Sequence, residues 1–335
     1  MNRDEFRDII ESIKIPDGTL PGDLQKLLSP INVAIVQMAP ECLYKYRSCS
    51  VNSISAFEND ELWMSTSDMF NDPFDTLIQF NENEFRSACE GLSNPDVLKI
   101  MTQYFANGGQ IAPIVSQIVD EKELARLRQI AKDVNANHYQ EGYGEQQRVN
   151  LQIQLAYYMN YLPQIVQTFS TVVCLSERID SILMWSHYSD NHKGFALGYD
   201  FKSFFPSQES GLGIFPVVYG EKRYDASEYL IWMLCSLIQM PAHNPDIMSS
   251  IKLLLYKSMD WRYEQEWRLI NSKPGDFPVS RANPVNVKPK SIYYGCRISE
   301  ENRNRLHAIA ASKGLEEYDM MVDNAADSYR MAVRE

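Results

Sequence analysis

Short strand-like runs separated by helical stretches of unequal length constrain this chain more than any other feature. Leu43–Arg47, Leu62–Thr66, Thr171–Ser176 and Gly194–Tyr199 read as strands, as do Ile214–Tyr219, Gln265–Ile270 and Ser291–Tyr294. Helical periodicity marks 51–59, 179–189, 225–259 and 299–313, while 317–333 carries no clear pattern. Such irregular interleaving predicts an α+β fold, not a doubly wound sheet. No G-x-G-x-x-G follows a strand and no G-x-x-x-x-G-K-[ST] occurs, so Rossmann and P-loop folds lack their phosphate-binding elements here. The expected architecture is a small central sheet, mixed or antiparallel, carrying a large inserted helical lobe.

That lobe is expected at about 83–169, where Ile114, Ile118, Leu124, Leu127 and Ile130 recur at helical spacing. Residues 3–14 predict a short amphipathic helix with Phe6, Ile9, Ile10 and Ile13 on one face. Residues 15–32, rich in Pro, Gly and Asp, read as turns around one short helix. The expected division is therefore 1–32 as N-terminal helix and turns, and 33–335 as a single α+β domain with the insertion.

Composition matters mainly for what it excludes. Of the 335 residues 44% are hydrophobic and 23% charged, enough to bury an ordinary core. No apolar run approaches the ~18 residues of a membrane span, and the mixed-charge N-terminus is no secretory signal. The six cysteines are scattered with no C-x-x-C, which predicts reduced thiols and a cytoplasmic location. A net charge of −12 gives no general attraction to nucleic acid. It leaves room for a compact polyanion or a nucleotide, because one or two well-placed arginines suffice to hold phosphate. H-E-x-x-H is absent, and no metal site is predicted.

Several segments carry a resemblance. They are Leu43-Tyr44-Lys45-Tyr46-Arg47-Ser48, Leu62-Trp63-Met64-Ser65 with Phe70-Asn71-Asp72-Pro73-Phe74-Asp75, and Cys174-Leu175-Ser176-Glu177. Met184-Trp185-Ser186-His187-Tyr188, Gly194 to Asp200, and Tyr263-Glu264-Gln265-Glu266-Trp267-Arg268 complete the set. In this order the chain resembles a bacterial domain family of unknown function. The same positions resemble, more distantly, the R-S-E pattern of ADP-ribosyltransferases: Arg47 on a first strand, Ser65-Thr66-Ser67 on a second, and Glu264-Gln265-Glu266 on a late one. That resemblance implies an NAD-dependent ADP-ribosyltransferase-like enzyme with a macromolecular or nucleotide acceptor. It further implies an effector role in bacterial toxin or phage-defence systems.

The residue chemistry is coherent with this. An arginine fork at Arg47 suits a phosphate. Ser65, Thr66 and Ser67 can bond the ribose and carboxamide, with Tyr46, Asn71 and Asp72 beside them. Glu266 can stabilise an oxocarbenium-like ribose, and Glu264, two residues away on a strand, would share its face. Tyr188 can stack on a flat ring, and His187 is a candidate acid or base. Plainer readings exist for each: Ser65–Ser67 as a cap, Asn71-Asp72-Pro73 as a turn, Trp185 as core, and the Glu/Arg run as cross-strand ion pairs. Two other functions stay open. One is a metal-dependent nuclease or hydrolase using Asp72, Asp75, Glu264 and Glu266. The other is a non-catalytic binding module.

Overall fold

In the computed structural model the described residues are 1–92 (save 17), 170–204, 212–237, 246, 248–271, 282–323 and 329–334, with isolated positions 122, 125, 129, 167 and 327. The chain combines helices with a mixed sheet, as an α+β fold requires. The sheet is larger than expected. Ten strands run in the order β12 (Met331–Val333), β11 (Glu316–Val322), β10 (Ser291–Tyr294), β4, β1, β3, β2 and β9 (Ala282–Asn286), with β8 pairing β3 and β5 pairing β8. All pairings are antiparallel except β10 with β11. The strands that matter below are β1 (Cys42–Arg47), β2 (Glu61–Thr66), β3 (Thr171–Ser176), β4 (Phe195–Asp200), β5 (Leu212–Pro216) and β8 (Glu266–Asn271). A separate parallel pair joins β6 (Val218–Gly220) to β7 (Tyr256–Ser258).

Alternation along the strands separates two apolar faces. Phe195, Leu197, Ile292 and Tyr294 point into the main core, whereas Ala196 and Tyr293, between them, point into a second cluster with Tyr46 and Trp185. The main core is closed by α3 (Val51–Glu58) and by α8 (Glu300–Lys313), through Phe57, Leu306 and Ala310. Helix α1 (Arg3–Ser12) starts with a capping box between Asn2 and Glu5 and buries Phe6 and Ile10 in that same core.

Residues 15–32 depart from the expected turns. Helix α2 runs from Pro21 to Met38, straight through Pro30. Pro21 sits at the helix start, where its missing N–H costs nothing. The interior Pro30 is tolerated because Ile31, Ala34 and Ile35 are buried against the core, so packing outweighs one lost bond. The N-terminal segment thus shares the core of the sheet.

Two further expectations are corrected. The strand read at 214–219 is two: the Val217 N–H still bonds the Glu266 carbonyl of β8 at 2.9 Å, and from Val218, whose N–H bonds the Leu255 carbonyl at 2.8 Å, the chain pairs β7 instead. The helix read across 225–259 is α6 (Ser227–Leu237), α7 (Ser249–Leu253) and then β7. The helical lobe expected at about 83–169 falls, beyond the end of α4 (Glu82–Leu92), outside the described residues. Among the described residues no helix is long and apolar enough to cross a membrane.

Candidate functional site

The site arises where the sheet parts. Strand β8 pairs β3 along Thr171–Ser176 and so takes one whole edge. The other edge is shared. β2 pairs only at Thr171 and Val172, and β1 only at Ser176. Val173, Cys174 and Leu175 therefore face a gap between β1 and β2. A cavity of about 430 Å³ occupies this region, walled by β1 (Tyr44, Lys45, Tyr46), β2 (Trp63, Ser65) and β3 (Cys174, Ser176). Its other walls come from the 69–75 loop, from α5 (Ile182–Tyr188) and from Lys257, Glu264 and Glu266. That volume falls in the usual range of small-molecule sites, roughly 300–1,000 Å³.

A buried charge cluster forms the floor. Lys257 Nζ donates to Glu264 Oε2 at 2.6 Å and to Glu266 Oε2 at 2.9 Å, and stands 3.4 Å from Asp75 Oδ2. Arg268 Nε donates to Glu266 Oε1 at 2.8 Å, its Nη2 to Asp75 Oδ2 at 2.6 Å, and its Nη1 to the Leu254 carbonyl at 2.6 Å. Arg268 is 0% exposed. A charge so buried persists only when paired and bonded. Asp75 Oδ1, buried at the cavity wall, has no hydrogen-bond partner among the described residues.

The two glutamates are held differently. Burial opposes ionisation of Glu266, but Arg268 and Lys257 outweigh it and hold its pKa well below the carboxylate range. Glu264 moves the other way. Burial raises its pKa and the neighbouring Glu266 charge adds to this, against the pull of Lys257. Tyr188 OH donates to Glu264 Oε1 at 2.6 Å, and burial with the Glu264 charge pushes the phenol pKa up. Two carboxylates kept in separate protonation regimes are the usual mark of divided acid–base work.

The expected strand geometry of Glu264-Gln265-Glu266 is not what joins them. Glu264 ends a 3-10 turn (Met259–Glu264), Gln265 is left-handed at φ 45°, and only Glu266 opens β8. The left-handed residue brings both carboxylates to Lys257, a result that strand alternation alone would not produce. The Ser176 hydroxyl fixes the turn by donating to the Glu264 carbonyl at 2.6 Å.

The other candidates divide. Tyr46, Ser65, Asn71, His187 and Tyr188 line the cavity with the two glutamates. Tyr46 is anchored by its OH on the Arg178 carbonyl at 2.6 Å, and the exposed His187 meets Tyr263 OH through Nδ1 at 3.3 Å. Tyr188 is tied to Glu264 by its hydroxyl. Arg47, Thr66, Ser67 and Asp72 do not line the cavity. The Arg47 guanidinium interacts with Tyr199 of the main core. The Thr66 hydroxyl bonds Asp68, the Ser67 hydroxyl donates to the Gln167 carbonyl at 3.1 Å, and Asp72 accepts from the Phe74 N–H at 2.9 Å in a local turn.

Lys45 stands where an arginine was expected. It lies on β1 two residues before Arg47, lines the cavity, and donates to the Cys174 carbonyl at 2.8 Å in the parted edge. Lys257 had no sequence signal, because a three-residue strand inside a helical-looking stretch carries none. Asp75 was noticed only as a cation ligand. Asp75, Glu264 and Glu266 do converge, but each is ion-paired to Lys257, and Asp75 and Glu266 to Arg268 as well. Among the described residues no group of three or more His, Cys, Asp or Glu is arranged to hold a metal ion.

A family model described as a protein of unknown function (DUF2971) matches residues 184–269. That stretch includes His187, Tyr188, Lys257, Glu264, Glu266 and Arg268, and leaves Lys45, Ser65 and Asp75 outside. No curated protein and no solved structure matches the chain.

Proposed function

We propose that the cavity is the active site of an ADP-ribosyltransferase-like enzyme that uses NAD. The observation that carries this reading is the meeting of Glu264 and Glu266, in opposed protonation regimes, with Tyr188 and Ser65 on one pocket. Glycosidic cleavage needs a fixed negative charge beside the ribosyl carbon and a base for the incoming nucleophile. Glu266, held ionised by two cations, supplies the charge. Glu264, bonded to Tyr188, supplies the base.

In this reading the bond from the ribosyl carbon to the nicotinamide nitrogen breaks, and the electron pair leaves with neutral nicotinamide. The acceptor oxygen or nitrogen bonds to that carbon and its proton passes to Glu264, directly or through the Tyr188 hydroxyl. Ser65 and the unpartnered Asp75 Oδ1 are available to ribose hydroxyls. The test is nicotinamide release from NAD by the purified chain, with and without cell extract as the source of acceptor. Glu266→Gln keeps the side-chain size and removes the charge, and release should fall by about 100-fold or more. Equal release from wild type and Glu266→Gln, or none from wild type with extract present, sinks the reading.

A further inference from the structure

The cavity holds a cation that its own carboxylates do not use. Asp75 and Glu266 are bonded by Arg268, and Lys257 is shared among Asp75, Glu264 and Glu266. Lys45 has no part in that cluster. Its Nζ spends one donor on the Cys174 carbonyl, and among the described residues it forms no ion pair with a carboxylate. An ammonium has three donors and a full charge, and withdrawing it from water without a counter-charge is costly. Arg47, on the same strand, adds a like charge within range.

We propose that Lys45 is an anion receptor and that the gap between β1 and β2 is the subsite for a phosphate or pyrophosphate group of the ligand. Three features of the gap converge on this. The ammonium is anchored, so its position is set before the ligand arrives. The parted edge of β3 leaves room beside it. Glu264 and Asp75, which also line the cavity, repel an anion, so the anionic end of a ligand is directed to Lys45 and a hydroxyl-bearing or cationic end to the carboxylates. Identifying the anion with the pyrophosphate of NAD rests on the function proposed above. The subsite itself does not.

Lys45 titrates in an accessible range. Burial and the Arg47 charge lower its pKa to about 8, opposed by the weaker influence of Cys174, Glu266 and Glu264. Above that pH the receptor loses its charge, so anion binding should weaken as pH rises through about 8. Arginine at this position stays charged throughout.

The experiment is calorimetric titration of the full chain with inorganic pyrophosphate, repeated with succinate. Wild type should bind pyrophosphate saturably and more tightly than succinate. Lys45→Met keeps the length of the side chain without its charge, and should weaken binding by at least about tenfold while holding or raising Tm. Arg47→Met should bind as wild type does, and Lys45→Arg should bind without the loss above pH 8. No saturable pyrophosphate binding by wild type overturns the proposal. So do unaltered binding by Lys45→Met, loss in Arg47→Met instead, and preference for succinate. Wild type separates the two readings: saturable pyrophosphate binding by a wild-type chain that releases no nicotinamide, with cell extract present, upholds the subsite and removes NAD as its ligand.

Discussion

The Tyr188 hydroxyl donates to Glu264 Oε1 at 2.6 Å across 76 residues of sequence, at the cavity wall. The bond ties the last residue of α5 to the turn before β8. It also tunes the carboxylate, because a donor favours the ionised form. Tyr188→Phe removes that donor and leaves the ring. The Glu264 pKa, already raised by burial and by Glu266, should rise further. The acidic limb of the kcat profile for nicotinamide release should therefore move to higher pH. A profile whose limb stays in place, measured between pH 5 and 9, would detach Glu264 from the chemistry.

Arg268, fully buried, is a point of weakness in the energetics. Arg268→Met fills its volume but takes one of two cations from Asp75 and Glu266 and leaves both buried carboxylates to Lys257. The cost should be about 3–5 kcal/mol, that of breaking a buried pair from one side. Urea unfolding of the variant measures it directly. A loss below about 1 kcal/mol would mean that the two carboxylates find other partners.

Acid should act on stability through Glu266. Its folded pKa is depressed below the ordinary 4.5, so its stabilising contribution is present above that pH and is lost as pH falls toward the folded value. Glu266→Gln cannot titrate there. Wild type should be the more stable at pH 7, and the two chains should converge as the pH is lowered below 4.5. Unfolding free energies at pH 3.5, 5 and 7 decide this, and parallel curves would contradict it.

Gly194 tests the strand register that holds Lys45 in place. A Cβ there would collide with the Arg47 carbonyl oxygen and the Ser189 hydroxyl. The carbonyl is backbone of β1, opposite Phe195 in the β1–β4 register, and cannot give way without shifting the strand. Gly194→Ala should destabilise by about 1–3 kcal/mol and weaken pyrophosphate binding together with it. Thermal unfolding with and without pyrophosphate reads both effects, and an unchanged Tm would show that β1 adapts.

Much of the fold was legible because its signals are local. Thr171–Ser176 and Ser291–Tyr294 are strands at the expected residues, and Phe6 and Ile10 are the buried face of α1 as their spacing requires. Periodicity reports which face of an element is apolar, and it is complete within a few residues. It misled where packing overrode local preference, as at Pro30 in α2, and where an element was too short to show a period, as in β7.

The candidate site divides along the same line. Glu264, Glu266, Tyr188, His187 and Ser65 could be selected from the sequence because polar groups cluster in short segments of recognisable type. Which cation meets which carboxylate was not recoverable, since Asp75, Lys257 and Arg268 are brought together from a loop, a three-residue strand and β8. Nor could β1 alone say whether Lys45 or Arg47 faces the cavity. That depends on how β1 and β2 part along one edge of β3, and residues far apart in the chain set the parting. The sequence by itself determined the elements and the chemical types available to them. The tertiary structure decided the charge pairing, because Coulomb and hydrogen-bond energies depend on distances that only the packed chain defines.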